Sequence, residues 1–320
     1  MRVVRANPMN HVGDASLTKT GKRALVEARG QIVDLPVGEG AADVWMAKDG
    51  VRLRSPLASP DVKSVAYFSV ETGEQQLYVA DSDGKNARQI TKDGRRRLVN
   101  YDWSPDSQWI ALNDSDMRLR LIKVSDGTEK EVNHAQLTWV GTPFDFSPDS
   151  KWLAYVEADG ITNFGRIVLY EIASDARHRL GGAFSDDTEP AFSTDGKYLA
   201  FLSKRNFATI GDPFQNQLNT SDPQVVCLLI LDKDGKSPLA PENPSEVEPP
   251  KTEPTKTEGT KIDLEGLWER QLVLPVRPGA YEQLVVVGDR VLMGGGGAGT
   301  FYDIGKKSGG ALTSGSIIDV

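Results

Sequence analysis

Cleaving an amide with a side-chain nucleophile requires a hydroxyl or thiol held beside a base. The bases on offer in this 320-residue sequence are His11, His134 and His178. His134 and His178 fall in polar outer strands or turns, where a solvated role is expected, and no G-x-S-x-G elbow accompanies them. Cys227, the one cysteine, sits inside the run VVCLLIL, so it reads as a buried, inert thiol with no partner for a disulfide or a cysteine zinc cluster within one chain. Asp81-Ser-Asp83-Gly has the start of a calcium loop, but Lys92 stands where the bidentate glutamate belongs, so it reads as a hairpin turn. Gly294, Gly296 and Gly299 fit G-x-G-x-x-G, yet TFYDIG continues as strand where phosphate binding needs a helix N-terminus. Gly305-Lys-Lys-Ser lacks the spacing of a P-loop, so no metal or other cofactor is expected.

A different polar set recurs just ahead of a repeated segment: Arg52, Arg54, Asn100, Asp102, Asp145, Asp187 and Glu189. Their chemistry is hydrogen bonding and ion pairing rather than covalent catalysis. What they can bind depends on the elements that hold them.

Those elements follow from a repeat. LASPDVKSVAYFS, DWSPDSQWIALND, DFSPDSKWLAYVE and AFSTDGKYLAFLS place Ser59, Ser104, Ser147 and Ser193 at spacings of 45, 43 and 46 residues. Asp61, Asp106, Asp149 and Asp195 follow two residues later, and Ala66, Ala111, Ala154 and Ala200 seven residues later. SLTKTGKRALVEARG is a weaker copy ahead of these four. The Ser-Pro-Asp core supplies a tight turn, WIAL, WLAYV and YLAFL are short strands, and the small alanine admits a neighbouring sheet. A third strand and a more polar fourth strand complete each unit, the composition of a β-propeller blade.

The expected fold is therefore all-β, a propeller of four-stranded blades at about 12–50, 51–94, 95–139, 140–183, 184–274 and 275–315. Trp103, Phe146 and Phe192 take matching positions between blades, and Ala58 stands in for the aromatic in the second unit, which calls for looser packing or compensation by a neighbour. The polar set then falls on inner strands, where alternation turns about half of it toward a central channel. RNFATIGDPFQNQLNTSD interrupts the fifth blade between its second and third strands. A second insertion, 236–260, has six prolines and five glutamates in 25 residues and is expected to stay disordered. SGSIIDV reads as the inner strand of a further blade, which would leave Val285, Val287, Val291 and Leu292 on an uncovered face.

The net charge of −8 and a pI near 5.1, without a basic block, argue against nucleic acid or an anionic membrane as partner. The longest apolar run, 225–231, is too short to span a bilayer. Met1 is followed by RVVRANP, which has no apolar signal core, so a cytoplasmic location is expected, or a periplasmic one if a signal peptide precedes this chain.

ALVEARGQIVDLPVGEG resembles the start of the second propeller of tricorn-type serine peptidases, and FLSKRNFATIGDPFQN resembles that propeller's blade insertion. KIDLEGLWERQLVLPVRPGAYEQL is similar to the family's link into the next blade, whereas the glycine run in RVLMGGGGAGTFYDI departs from its apolar strand end. The resemblance implies a seven-bladed ring of TolB-like repeats, about six of them in this chain. It also implies a role in admitting peptides or unfolded polypeptide to the catalytic half of the same polypeptide, and it is compatible with a homo-oligomer. In that family the catalytic serine and histidine lie C-terminal to the propellers, so no catalytic residue carries over and the chain itself is expected to be inactive. A free-standing TolB-like binding propeller is the alternative reading. The propeller of a prolyl-oligopeptidase-type hydrolase would need α/β-hydrolase sequence at its flanks, which neither end shows. Under limited proteolysis the first cuts are expected within 236–260, detectable by mass spectrometry of the fragments; first cuts inside the repeated strands would contradict this parsing.

Overall fold

The computed structural model describes residues 12–92, 97–135, 142–182, 184–206, 209–211, 218–220, 224–240, 259–295 and 299–312. His11, most of the proline- and glutamate-rich segment and SGSIIDV lie outside these. The chain forms two compact units, which divide after residue 141.

The first unit has three four-stranded antiparallel sheets, each with its strands adjacent in chain order. They are β1 (Val12–Leu17), β2 (Arg23–Ala28), β3 (Gln31–Pro36) and β4 (Asp43–Met46); β5 (Leu53–Ala58), β6 (Ser64–Ser69), β7 (Gln76–Asp81) and β8 (Arg88–Gln89); and β9 (Leu98–Trp103), β10 (Trp109–Asp114), β11 (Arg118–Lys123) and β12 (Glu129–His134). The second unit repeats the plan with β13 (Phe144–Phe146), β14 (Trp152–Ala158), β15 (Gly165–Glu171) and β16 (Ala176–Arg179), then β17 (Asp186–Phe192) and β18 (Tyr198–Lys204). A two-stranded hairpin, β19 (Thr209–Gly211) and β20 (Leu218–Thr220), interrupts the fifth sheet before β21 (Gln224–Ile230) and β22 (Gln271–Val273) complete it. The last sheet is β23 (Gln283–Val287), β24 (Arg290–Gly294), β25 (Thr300–Asp303) and β26 (Ser308–Ala311). No helix among the described residues is long and apolar enough to cross a membrane.

Alternation along the central strands explains why they read as continuous apolar runs. On β18, Leu199 and Phe201 pack toward Trp152, Ala154 and Leu169, while Ala200 and Leu202 pack toward Leu284, Val286 and Met293. Cys227 and Leu229 of β21 join the first group, and Val226 and Leu228 join the second. The same division holds on β6, where Val65 and Tyr67 face Leu25 and Ile32 while Ala66 and Phe68 face Trp103, Ile110 and Leu112. A strand with period-two side chains and sheets on both sides must be apolar at every position. Each buried Leu, Phe or Val contributes about 1.5–3 kcal/mol. The recurrent alanines at 66, 111, 154 and 200 are fully buried.

First strands of neighbouring sheets meet in three places: β1 lies against β5, β13 against β17, and β17 against β23. Ala58 is compensated by neighbours, since it packs with Trp45, Tyr67 and Tyr78, and the Trp103 indole donates to the Leu57 carbonyl at 3.1 Å. In the last sheet Val291 differs from the expected uncovered face: it is buried against the fifth sheet with Leu284, Val286 and Met293. Val285, Val287 and Leu292 alternate onto the other face and stay partly or largely exposed.

Each Ser-x-Asp turn closes by one local circuit. The serine hydroxyl donates to the aspartate two residues on, at 2.6–2.7 Å, for Ser59, Ser104, Ser147 and Ser193. The same oxygen accepts the amide five residues on, at 2.9–3.0 Å, from Ser64, Trp109, Trp152 and Tyr198. Each aspartate also accepts the amide two residues after itself. The residue between is left-handed, with φ of 60° at Val62, 61° at Ser107, 58° at Ser150 and 70° at Gly196. A β-branched residue in that region is strained. Val62→Gly is therefore expected to stabilise the chain by about 0.5–1 kcal/mol. Ser104→Ala, which strands the Trp109 amide, is expected to cost about 1–3 kcal/mol. Urea denaturation of both variants checks the opposite signs.

Candidate functional site

The inner strands carry the candidate residues, and two of these strands are bent in the same way. β5 is bulged between Arg54 and Leu57, and β17 between Thr188 and Ala191. In both, the residue four before the turn serine is left-handed and precedes a proline: Ser55 with φ 48° before Pro56, Glu189 with φ 51° before Pro190. A residue before proline favours extended backbone, so the two sites hold local strain. Bulges of this kind re-aim the side chains around them.

The structure brings some of the seven candidates together and keeps others apart. Arg52 and Arg54 converge on Glu27 of β2, with N–O distances of 3.4 Å and 3.8 Å. The Glu27 side chain is 5% exposed, against 62% for Arg52 and 37% for Arg54. Asn100 is exposed and accepts a hydrogen bond from the Asn113 amide at 3.0 Å. Asp102, also exposed, accepts the backbone amide of Trp103 at 2.7 Å. Half-buried Asp145 reaches the next sheet and accepts the Phe192 amide at 2.6 Å. Glu189 is half-buried at its bulge.

Asp187 is on the buried side of its strand, being only 1% exposed. It accepts hydrogen bonds from Ser185 at 2.9 Å, from Ser203 at 2.5 Å and from Arg205 at 3.2 Å. The Arg205 guanidinium also bonds Ser203 and Gln271, each at 2.6 Å, and lies over the rings of Phe201 and Trp268. Arg205 directly follows β18, ahead of the β19–β20 hairpin in the chain. Burial raises the Asp187 carboxyl above the usual range even though Ser203, Ser185 and Arg205 oppose that shift. Sequence reasoning missed Glu27 and Arg205; their one trace is a charge within or directly after an apolar strand, in ALVEA and FLSKR.

The other sequence motifs take ordinary places. Cys227 is fully buried, and burial pushes its thiol up to about 12. His134 is exposed at the end of β12, and His178 on β16 rests against Trp152 at 5.9 Å. Among the described residues no hydroxyl hydrogen-bonds to either imidazole, and no group of His, Cys, Asp or Glu could hold a metal ion. Asp81 to Gly84 form a turn in which the Gly84 amide donates to the Asp81 carbonyl at 2.8 Å and Lys85 pairs with Asp83 at 2.7 Å. Gly294 ends a strand that pairs antiparallel with β25, and Gly299 directly precedes β25 rather than a helix; Gly296 lies outside the described residues.

Four-stranded antiparallel sheets packed face to face, each with its strands adjacent in chain order, define a β-propeller. Residues 12–302 match the family model of the tricorn protease second beta propeller domain, and the chain belongs to that family. It is 28% identical over 309 residues to tricorn protease homolog 1 of Streptomyces coelicolor, covering 89% of this chain and 28% of that protein. It is 27% identical over 292 residues to the tricorn protease of Thermoplasma volcanium, covering 88% and 26%. A crystal structure of the tricorn protease superposes with a TM-score of 0.77 at 16% identity, over 95% of this chain and 30% of that one. The chain thus spans little more than a quarter of the length of the curated relatives it matches.

The carboxylates are expected to titrate in opposite senses. Burial would raise Asp149 and Asp195, but hydrogen bonds from Ser147 and the Thr260 amide, and from Lys197 and Ser193, hold both below the ordinary 3.8. A lowered folded value stabilises the native state above the unfolded pKa of 3.8, and that contribution is lost as pH falls through the folded value. For Asp187 the sign reverses: protonation favours the folded state, so stability declines as pH rises from 3.8 through its raised value. Carboxyl ¹³C titration by NMR checks this, with Asp187 the last of the three to ionise.

Proposed function

We propose that this propeller admits extended peptide to the catalytic portion of a tricorn-type serine protease and contributes no catalytic residue of its own. The observation that carries the reading is how polarity is distributed. The second and fifth sheets use both faces for packing, while Arg52, Arg54, Asn100 and Asp102 stay at least partly exposed on or beside first strands. Such a wall offers donors and acceptors to a peptide main chain. Asp145 and Glu189, half-buried on their inner strands, extend the same polar character.

Membership of a protease family makes peptide the natural cargo, and the catalytic half of the same polypeptide the natural partner. Fluorescence anisotropy with a dye-labelled unstructured peptide tests the reading. The purified chain is expected to bind the peptide, to ignore a compact disulfide-bonded protein of similar charge, and to leave fluorogenic peptides uncut. Cleavage that co-purifies with the chain through successive columns, or no peptide binding at all, would overturn it.

A further inference from the structure

A cleft of about 630 Å³ opens in the first unit, between the hairpin joining β2 to β3 and the connection that leads from the first sheet into β5. Arg29, Lys48 and Arg52 line it together with Glu27 and Asp49. The lining thus holds three cations against two carboxylates, a surplus of one positive charge. The geometry points to this cleft as a binding site for a peptide carboxylate, an inference that rests on the peptide-admitting reading and gives it a substrate class.

Three observations support it. First, Glu27 does not satisfy the two guanidinium groups around it. Its contacts to Arg52 and Arg54 are 3.4 Å and 3.8 Å, and its bond from the Ser55 amide is 3.4 Å, all long for charged partners. Second, Arg52 lines the cleft with its side chain 62% exposed. Its long contact to Glu27 leaves guanidinium donors open, and a planar two-oxygen anion supplies the acceptors that Glu27 does not. Third, Arg29 and Gly30 form a two-residue hairpin turn with both residues left-handed, φ 54° and 79°. Such turns favour Asn-Gly. An arginine there holds strain that its backbone role does not require, and strain of this kind collects at binding sites. Arg29 is exposed and has no ion pair or hydrogen bond from its side chain among the described residues.

The surplus of one charge suits a monocarboxylate rather than a phosphate dianion. Arg52 directly precedes β5, so a carboxylate held there lies where an inner strand begins. A peptide C-terminus and an acidic side chain share this chemistry, and the experiment separates them. N-terminally dye-labelled pentaalanine is titrated as its free acid, as its C-terminal amide, and as an amide with one internal aspartate, against the full chain by anisotropy.

A carboxylate-bearing peptide is expected to bind more tightly than plain amide by about tenfold or more, the usual weight of a charged hydrogen bond. The acid and the aspartyl amide identify which carboxylate is preferred. Arg52→Ala and Arg29→Asn are each expected to abolish that preference. Arg29→Asn suits the turn better, so its melting temperature stays level or rises, which separates lost binding from lost folding. Equal binding of acid, aspartyl amide and plain amide overturns the cleft assignment and leaves the peptide-admitting reading intact, whereas no binding of any peptide overturns both. A carboxylate preference that survives both substitutions, or tighter arginine-dependent binding of inorganic phosphate than of acetate, also overturns the assignment.

Discussion

Every four-stranded sheet in this chain has two faces to cover, and that constraint shapes the rest. The central strands answer it with short continuous apolar runs, so that Phe201 and Leu202, neighbours in sequence, belong to different cores. No polar chemistry can be placed there without a buried partner to satisfy it. Function is pushed to the first strand of each sheet, to the turns and to the connections. Asp187 and Glu27 show the outcome when a charge lies inside: each is met by arginines, Arg205 in one case and Arg52 with Arg54 in the other.

The Ser-x-Asp turns solve the complementary problem of joining inner strand to second strand in the space left between closely packed sheets. One hydroxyl accepts an amide and donates to a carboxylate, which in turn accepts a second amide. The donors and acceptors of the turn are thus satisfied within a few residues. Asp149 goes further and accepts the Thr260 amide at 2.8 Å, pinning the chain where it returns from the proline-rich segment. Asp145 links adjacent sheets through the Phe192 amide. These are short-range devices, and they repeat because the problem repeats.

That locality decides what was legible in the sequence. The turns, the recurrent alanine and the two-faced strands are written within ten residues of themselves, and the blade order follows from their spacing. The fit of Val291 was not, because which face of β24 meets the fifth sheet depends on register rather than on composition. The bulges before Pro56 and Pro190 have no local signature beyond the proline itself. The burial of Asp187 is not written locally, because its counter-ion Arg205 lies 18 residues away and beyond a strand. For Glu27, a lone carboxylate in ALVEA gives no hint of two arginines 25 and more residues on.

The central claim is that sheet faces are committed to packing while the inner strands and their connections are left for peptide. Hydrogen exchange of the chain with and without saturating unstructured peptide tests this most directly. The account predicts added protection confined to β5, β9, β13, β17 and the connections entering them, with β8, β12 and β16 unchanged. Protection that appears instead on those outer strands, or is spread evenly through the sheets, would contradict it.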